Sequence, residues 1–220
     1  MITIYTDRGA YWFFDYKGDP TAPHALLTGG DHSDGYVDST PILEDPLLVE
    51  LLMEEMEARL ERRNVLTAAP DWVVSSTMAA TTFGYHLALR LSRRFRRVVR
   101  SAYAEKNPAH EGPQFSPRRF IFRRSKIAPG AHVLQAEELM TTKGTALDVR
   151  EAVDRACPGI FWLPDIACGI YRPVSVQAGQ IDVIALATQE MQKWPLEECP
   201  LCKQGSKAVK PRGILAKFAA

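Results

Sequence analysis

Residues 133–145 read Val133-Leu134-Gln135-Ala136-Glu137-Glu138-Leu139-Met140-Thr141-Thr142-Lys143-Gly144-Thr145. An apolar run of strand length ends in two adjacent carboxylates, and a hydroxyl-rich turn with one glycine then opens a helical pattern at about Thr145 to Ala156. Each part has a use. The start of a helix presents backbone N–H groups without partners, Thr141, Thr142 and Thr145 add hydroxyl donors, and the helix dipole favours an anion there. That is a cradle for a terminal phosphate. Glu137 and Glu138 stand where they accept hydrogen bonds from vicinal sugar hydroxyls and stabilise positive charge on an anomeric carbon. Against this stands a plainer reading, two solvated acids at a strand end and threonines that cap a helix; the complete order of the segment favours the ligand reading.

Outward from this stretch the same alternation recurs. Trp72-Val73-Val74 leads through Ser, Thr and Ala residues into a helical pattern from Phe83 to Leu91, Val98-Val99 begins another strand, and Phe120-Ile121-Phe122, Ile160 to Leu163 and Ile181 to Ala187 are further apolar runs. Upstream, Asp45-Pro46 is an N-cap carboxylate with proline at the first helical position, and Leu48, Leu51, Leu52, Met56 and Leu60 fall on one face. Buried strands alternating with helices predict an α/β fold with a mainly parallel, twisted sheet flanked by helices. Ligands bind such sheets at the carboxyl ends of the strands. The turn-rich first forty or so residues predict a small N-terminal hood. The expected division is a hood over 1–44, an α/β core over 45–190 and a loosely structured C-terminal tail over 191–220. Asn107 to Pro117, with its prolines and glycine, reads as a long mobile loop.

Composition excludes several classes. With 27 Lys and Arg against 26 Asp and Glu, the chain has no bulk charge to draw nucleic acid or a membrane. No stretch approaches the roughly twenty apolar residues of a membrane span, and no secretory leader precedes the hood, so a cytoplasmic location with reduced thiols is expected. Arg90, Arg93, Arg94, Arg96, Arg97 and Arg100 make a basic run continued by Arg118, Arg119, Arg123, Arg124 and Lys126; a solvated helix end is the first reading and a nucleic-acid surface the second. Cys199-Pro200-Leu201-Cys202 has the spacing of half a zinc site, but a tetrahedral ion needs two more ligands and no second CxxC or HxxxH exists. Cys157 and Cys168 complete a four-thiolate site only if the fold brings them close. His24, His32, His86, His110 and His132 lie at no metal-ligand spacing, so no protein metal ligand is assigned.

The segment from Val133 to Thr145 resembles the phosphoribosyl-pyrophosphate-binding motif of type I phosphoribosyltransferases. Leu27-Thr28-Gly29-Gly30-Asp31-His32-Ser33-Asp34-Gly35-Tyr36 is similar to the segment that forms the hood over the base in the orotate branch. The resemblance implies the type I phosphoribosyltransferase fold, a glycosyltransferase of pyrimidine biosynthesis and nucleotide metabolism, and transfer of phosphoribose from 5-phosphoribosyl-1-pyrophosphate (PRPP) to orotate or a related nucleobase, with Mg2+ as cofactor. It implies that Glu137 and Glu138 hold the ribose hydroxyls and that Thr141, Thr142, Lys143, Gly144 and Thr145 hold the 5-phosphate. Ser76 and Thr77 fall in the family's pyrophosphate loop, and Thr28 and Gly29 belong to the hood. Lys106 and His110 lie in a flexible catalytic loop that neutralises the leaving pyrophosphate, reaching across a homodimer interface. Nucleic acid is not an expected partner.

Six positions depart from the family pattern. Lys143 stands where the phosphate turn has a glycine, Met78 replaces a lysine and Ser75 a glycine in the pyrophosphate loop, Leu27 lies where a lysine often stands, Glu138 replaces an aspartate, and Ile166 occupies the place of the arginine that meets the orotate carboxylate, leaving Arg172 as the nearest substitute. Lys143, Met78 and Ile166 motivate an alternative: a PRPP- or nucleotide-binding regulator without turnover that contacts nucleic acid through its arginines.

Overall fold

A computed structural model describes residues 2–14, 19–111, 119–174 and 181–211. Gly112 to Pro117 of the expected mobile loop, and Arg118, lie outside the described residues. The chain opens with α1 (Ile2–Asp7), which buries Tyr5, followed by β1 (Tyr11–Phe13), β2 (His24–Leu26), β3 (His32–Ser33), β4 (Gly35–Val37) and α2 (Thr40–Leu43). The core comprises α3 (Pro46–Arg62), β5 (Trp72–Ser76), α4 (Ala79–Phe95), β6 (Arg100–Lys106), α5 (Pro108–Glu111), β7 (Phe120–Ile121), β8 (His132–Met140), α6 (Gly144–Ala156), β9 (Phe161–Tyr171) and β10 (Asp182–Thr188). It is followed by β11 (Lys193–Trp194), a short 3-10 turn at Leu196–Glu198, α7 (Pro200–Lys203) and β12 (Ala208–Val209).

The central sheet has the order β10-β9-β8-β5-β6-β7, with every pairing parallel except that of β7. Its first strand, β5, lies between β6 and β8, so successive connections run outward in opposite directions from the β5–β8 seam. The crevice for a ligand in such a sheet opens there, outside the carboxyl ends of the strands. One apolar cluster joins α3 and α4 to one face through Leu52, Met56, Phe83, Leu87, Leu134 and Ala136. A second joins α6 to the other face through Val149, Val153, Val74 and Val133.

Local signals explain much of this. Asp45 caps α3, accepting from the Leu47 and Leu48 amides at 3.2 and 3.0 Å, with Pro46 at the first helical position. The expected apolar face needs one correction: Leu51 is 61% exposed, whereas Val49 and Met53 are fully buried, because α3 packs against α2 and β10 as well as α4. A second concerns β9, which runs past Leu163 to Tyr171. Pro164, which has no N–H to donate, sits where the β8–β9 register slips between Trp162 and Ile166, so the strand bulges and continues instead of stopping.

The third correction concerns the tail. Residues 193–209 are structured: β11 and β12 flank the hairpin β2–β3 in a four-stranded sheet of order β11-β3-β2-β12, so hood and tail are one unit. It also brings His24 and His32 onto Cys199 and Cys202, against the expectation from their scattered spacing. Cys157 and Cys168 are not part of this group and are buried in separate apolar clusters.

Candidate active site

At the carboxyl end of the β5–β8 seam, Ser76 Oγ donates to Glu137 Oε2 at 2.6 Å, and Gln135 Nε2 approaches Oε1 at 3.4 Å. Glu137 is only 3% exposed. Burial, foremost, pushes its carboxyl up to about 7; the charge of Glu138 adds to this and the Ser76 hydroxyl opposes it. Gln135 is fully buried and itself held, accepting from Arg150 Nε at 2.9 Å and donating to the Ala146 carbonyl at 3.0 Å. The sequence reading passed over it; a polar residue inside an otherwise apolar strand was the available signal.

Adjacent residues of a strand face opposite sides of the sheet. Glu137 therefore shares the α6 face with Gln135, while half-buried Glu138 lies close enough to Tyr5 for its charge to oppose ionisation of that phenol. Burial raises the Glu138 pKa as well. Behind Glu138 the neighbouring strand comes very close: a Cβ added at Gly169 of β9 would stand 2.4 Å from the Glu138 carbonyl oxygen.

The turn that follows is open. Thr141, Thr142 and Gly144 are exposed and Thr145 is half-buried at the start of α6, whose first amides have no carbonyl one turn earlier to bond. Lys143 does not lie over this turn. Its ammonium donates to the Ile181 carbonyl at 2.5 Å, because Ile181 brings a free carbonyl beside the turn at the entrance to β10. There Lys143 lines a cleft of about 610 Å3 with Arg59, Arg62, Arg63 and Tyr171. This cleft runs along the outer edge of β10; Arg59 and Arg62 bond Glu55, and Arg63 bonds Asp182. Among the predicted site residues only Lys143 lines it.

Around the seam, the Thr77 amide donates to the Ala104 carbonyl at 3.0 Å, which places the β5 loop against the end of β6; the Thr77–Met78 peptide is cis. Lys106 is exposed two residues further along β6, and half-buried His110 follows in α5. Thr28 and Gly29 form the tip of the β2–β3 hairpin. With Leu26, Leu27, Tyr36 and Lys210, Thr28 lines a cavity of about 410 Å3.

Ile166 is fully buried in mid-strand, paired with Gln135 and Val183, so that position points into the core and not toward the carboxyl end. Arg172 stands just past the end of β9, its amide bonded to the Met140 carbonyl at 2.8 Å. Among the described residues its Nε is buried without a partner, and its Nη1 has a 3.8 Å contact to the Met191 sulfur. Burial lowers its pKa while Tyr36 and Asp34 of the hood act the other way. An under-satisfied guanidinium between strand end and hood is a ready partner for an anionic ligand.

Most of the arginine run is paired with acidic side chains. Arg90 bonds Glu57 and, at 3.1 Å, Glu54; Arg93 bonds Glu50 at 2.6 Å; Arg94 pairs with Glu57 and Glu61; Arg97 pairs with Asp71 at 2.9 Å. Arg123 and Arg124 both hold Glu105 at 2.7 Å. These charges tie α4 to α3 and brace β6, and they are not a free basic face.

No family model matches the chain. It is 32% identical over 192 residues to an orotate phosphoribosyltransferase of Heliobacterium modesticaldum, covering 86% of this chain and 88% of that protein. The orotate phosphoribosyltransferase of Campylobacter concisus is 28% identical over 218 residues, 94% of this chain and 95% of its own. Among solved structures, orotate phosphoribosyltransferase from Aeropyrum pernix superposes with a TM-score of 0.59 at 15% identity, over 84% of this chain and 92% of that one. An adenine phosphoribosyltransferase from Thermoanaerobacter pseudethanolicus gives 0.51 at 19% identity, over 70% and 88%. These two likenesses concern the fold.

Proposed function

The chain belongs to the orotate phosphoribosyltransferase family, and from that premise we propose that orotate is the nucleobase to which this pentosyltransferase transfers the phosphoribosyl group of PRPP, releasing pyrophosphate. The observation that carries this reading is the seam itself. The topological switch point, a carboxylate pair and the open start of α6 coincide within a few residues at the carboxyl end of the sheet. Arg172 supports the choice of base, since orotate carries a carboxylate and the Arg172 Nε has no partner among the described residues.

In the reaction a ring nitrogen of the base attacks the anomeric carbon as its bond to the pyrophosphate oxygen breaks. Charge develops positive on the sugar and negative on the leaving group, so positioning and electrostatics supply the rate. In our reading Thr141, Thr142, Gly144 and Thr145 bind the 5-phosphate through hydroxyls and the free amides of α6. Glu138 and the buried, Ser76-held Glu137 orient the ribose hydroxyls; a carboxyl poised near neutrality both accepts and donates there. Thr77 and Lys106 with His110 meet the pyrophosphate, and the hairpin tip at Thr28 and Gly29 covers the base. Lys143, engaged with Ile181, bounds the turn from outside.

Mg2+ fits the oxygen donors at this strand end, the Glu137 and Glu138 carboxylates and the Ser76 hydroxyl bonded to Glu137, which the donor's own oxygens would complete. When bound it neutralises the leaving pyrophosphate. A homodimer accords with the exposure of Leu47 and Leu51, one turn apart on α3 at 79% and 61%, and a cytoplasmic setting with the free thiols of Cys157 and Cys168. No helix among the described residues is long and apolar enough to cross a membrane.

The test is turnover. Pyrophosphate release and loss of orotate absorbance are followed with PRPP and Mg2+, with uracil and a purine base alongside. Release with orotate foremost is expected; no release with any base at saturating donor overturns the reading in favour of a binding protein.

A further inference from the structure

We propose that His24, His32, Cys199 and Cys202 form a tetrahedral zinc site that locks the hood to the C-terminal tail. One ligand atom from each of the four lies within 4.8 Å of every other. Cys199 Sγ is 3.5 Å from His24 Nε2, Cys202 Sγ is 3.6 Å from the same nitrogen and 3.3 Å from His32 Nδ1, and the two nitrogens are 2.9 Å apart. With Zn–S near 2.3 Å and Zn–N near 2.0–2.1 Å, a tetrahedron has S–N edges of roughly 3.6 Å and an N–N edge of roughly 3.3 Å. Four of the six edges already stand at those separations to within a few tenths of an ångström, and the remaining two lie within 4.8 Å.

The protons point the same way. Ser206 Oγ has one hydrogen, given to the Ala22 carbonyl at 2.5 Å. Its 2.7 Å contact with His24 Nδ1 is therefore accepted from an N–H. That fixes the tautomer: Nδ1 carries the proton, and Nε2 turns a bare lone pair toward His32, Cys199 and Cys202. One lone pair cannot accept from three neighbours, whereas a cation at the centre satisfies all four. An outer partner that orients the ligating imidazole is the usual support of a metal-bound histidine.

The chemistry selects zinc. Two thiolates and two imidazoles in tetrahedral array suit Zn2+. The assembly is neutral overall, which suits its place among Phe14, Ala22, Trp194 and Leu201, where an unpaired charge would be costly. His24 and His32 are diagonal neighbours on one face of the β2–β3 hairpin, given the register Leu26 to His32 and Ala25 to Ser33. Cys199 precedes α7 and Cys202 lies within it.

The strands of this sheet have two or three residues each, too few to hold a sheet independently. A metal cross-link between segments 175 positions apart supplies the missing stability. It also fixes both walls of the cavity of about 410 Å3: Leu26 to Thr28 follow His24 directly, and Lys210 and Pro211 follow β12.

Metal content of full-length protein, purified without chelator and freed of loose ions by gel filtration, is the first measurement. One zinc per chain is expected, and exchange for Co2+ should give the absorption of a tetrahedral ion with thiolate charge transfer. Cys202→Ser and His32→Ala should lose the metal while Cys157→Ser keeps it, and Ser206→Ala should weaken zinc affinity about 10- to 100-fold. Chelation should change Trp194 fluorescence and lower the melting temperature. Protein dialysed against zinc that retains none, that carries a different metal, or that keeps its zinc with both Cys199 and Cys202 replaced overturns the proposal. The wild-type content and cobalt spectrum decide it even if a variant fails to fold, and neither depends on the transferase reading.

Discussion

Ser76 Oγ and Glu137 Oε2 meet at 2.6 Å across the seam between β5 and β8, two strands that are neighbours in the sheet but 61 residues apart in the chain at this contact. The bond closes the carboxyl end of the sheet at the point where its connections diverge. It ties the loop after β5 to the buried acid near the end of β8, so a change on either strand is felt on the other.

The pH dependence of stability should report Glu137. Its folded pKa of about 7 lies above the ordinary 4.5. Between those values the native state binds the extra proton, so stability is greatest below 4.5 and falls as pH rises through 7. The shift corresponds to about 3 kcal/mol, or about 5–10 °C in melting temperature. Calorimetry at pH 5 and pH 8 should show that fall for the wild type, corrected for buffer, and a much flatter profile for Glu137→Gln. An unchanged slope in the variant would assign the titration to another group.

Arg172→Met should separate base from donor. Losing a charge-assisted contact worth about 1.5–3 kcal/mol should raise KM for orotate about 10- to 100-fold while leaving PRPP affinity unchanged. Use of uracil, which has no carboxylate, should change little. Equal losses for both bases would place Arg172 outside the base site.

Gly169→Ala places a methyl group against the Glu138 carbonyl, a backbone atom with no rotamer to escape into. A loss of about 1–3 kcal/mol is expected, together with weaker PRPP binding as Glu138 shifts. Denaturant titration and calorimetry with PRPP measure the two effects. Unaltered stability would show that β8 and β9 can separate at this point.

Arg90→Ala should cost about 1–2 kcal/mol of stability, since it removes one of the two arginines paired with Glu57, whose side chain is only 12% exposed. Activity per folded molecule should hold. Filter-binding with DNA or RNA should show no salt-sensitive affinity in the wild type; a steep salt slope that disappears in the variant would restore the arginines as a nucleic-acid surface.

What the sequence determined by itself is what lies within a few residues of a signal. Asp45-Pro46 set the start of α3, and the order of strand, acids, hydroxyl turn and helix from Val133 onward placed Glu137 at a strand end before a phosphate-type turn. Hydrophobic period and capping are local, so alternation of strand and helix was legible, and with it the α/β class. Strand order was not, because β5 joins β6 and β8 through contacts that no short pattern encodes. Tertiary structure alone decided that Ser76 holds Glu137, that Glu138 lies near Tyr5 of α1, that Lys143 turns to Ile181, and that position 166 is core while Arg172 stands at the rim. It also decided the fate of the cysteine pair. Cys199 and Cys202 were visible as half a metal site, but His24 and His32 reach them only because the tail folds back as a strand beside the hood, and partners so far apart in sequence are joined by packing, not by spacing.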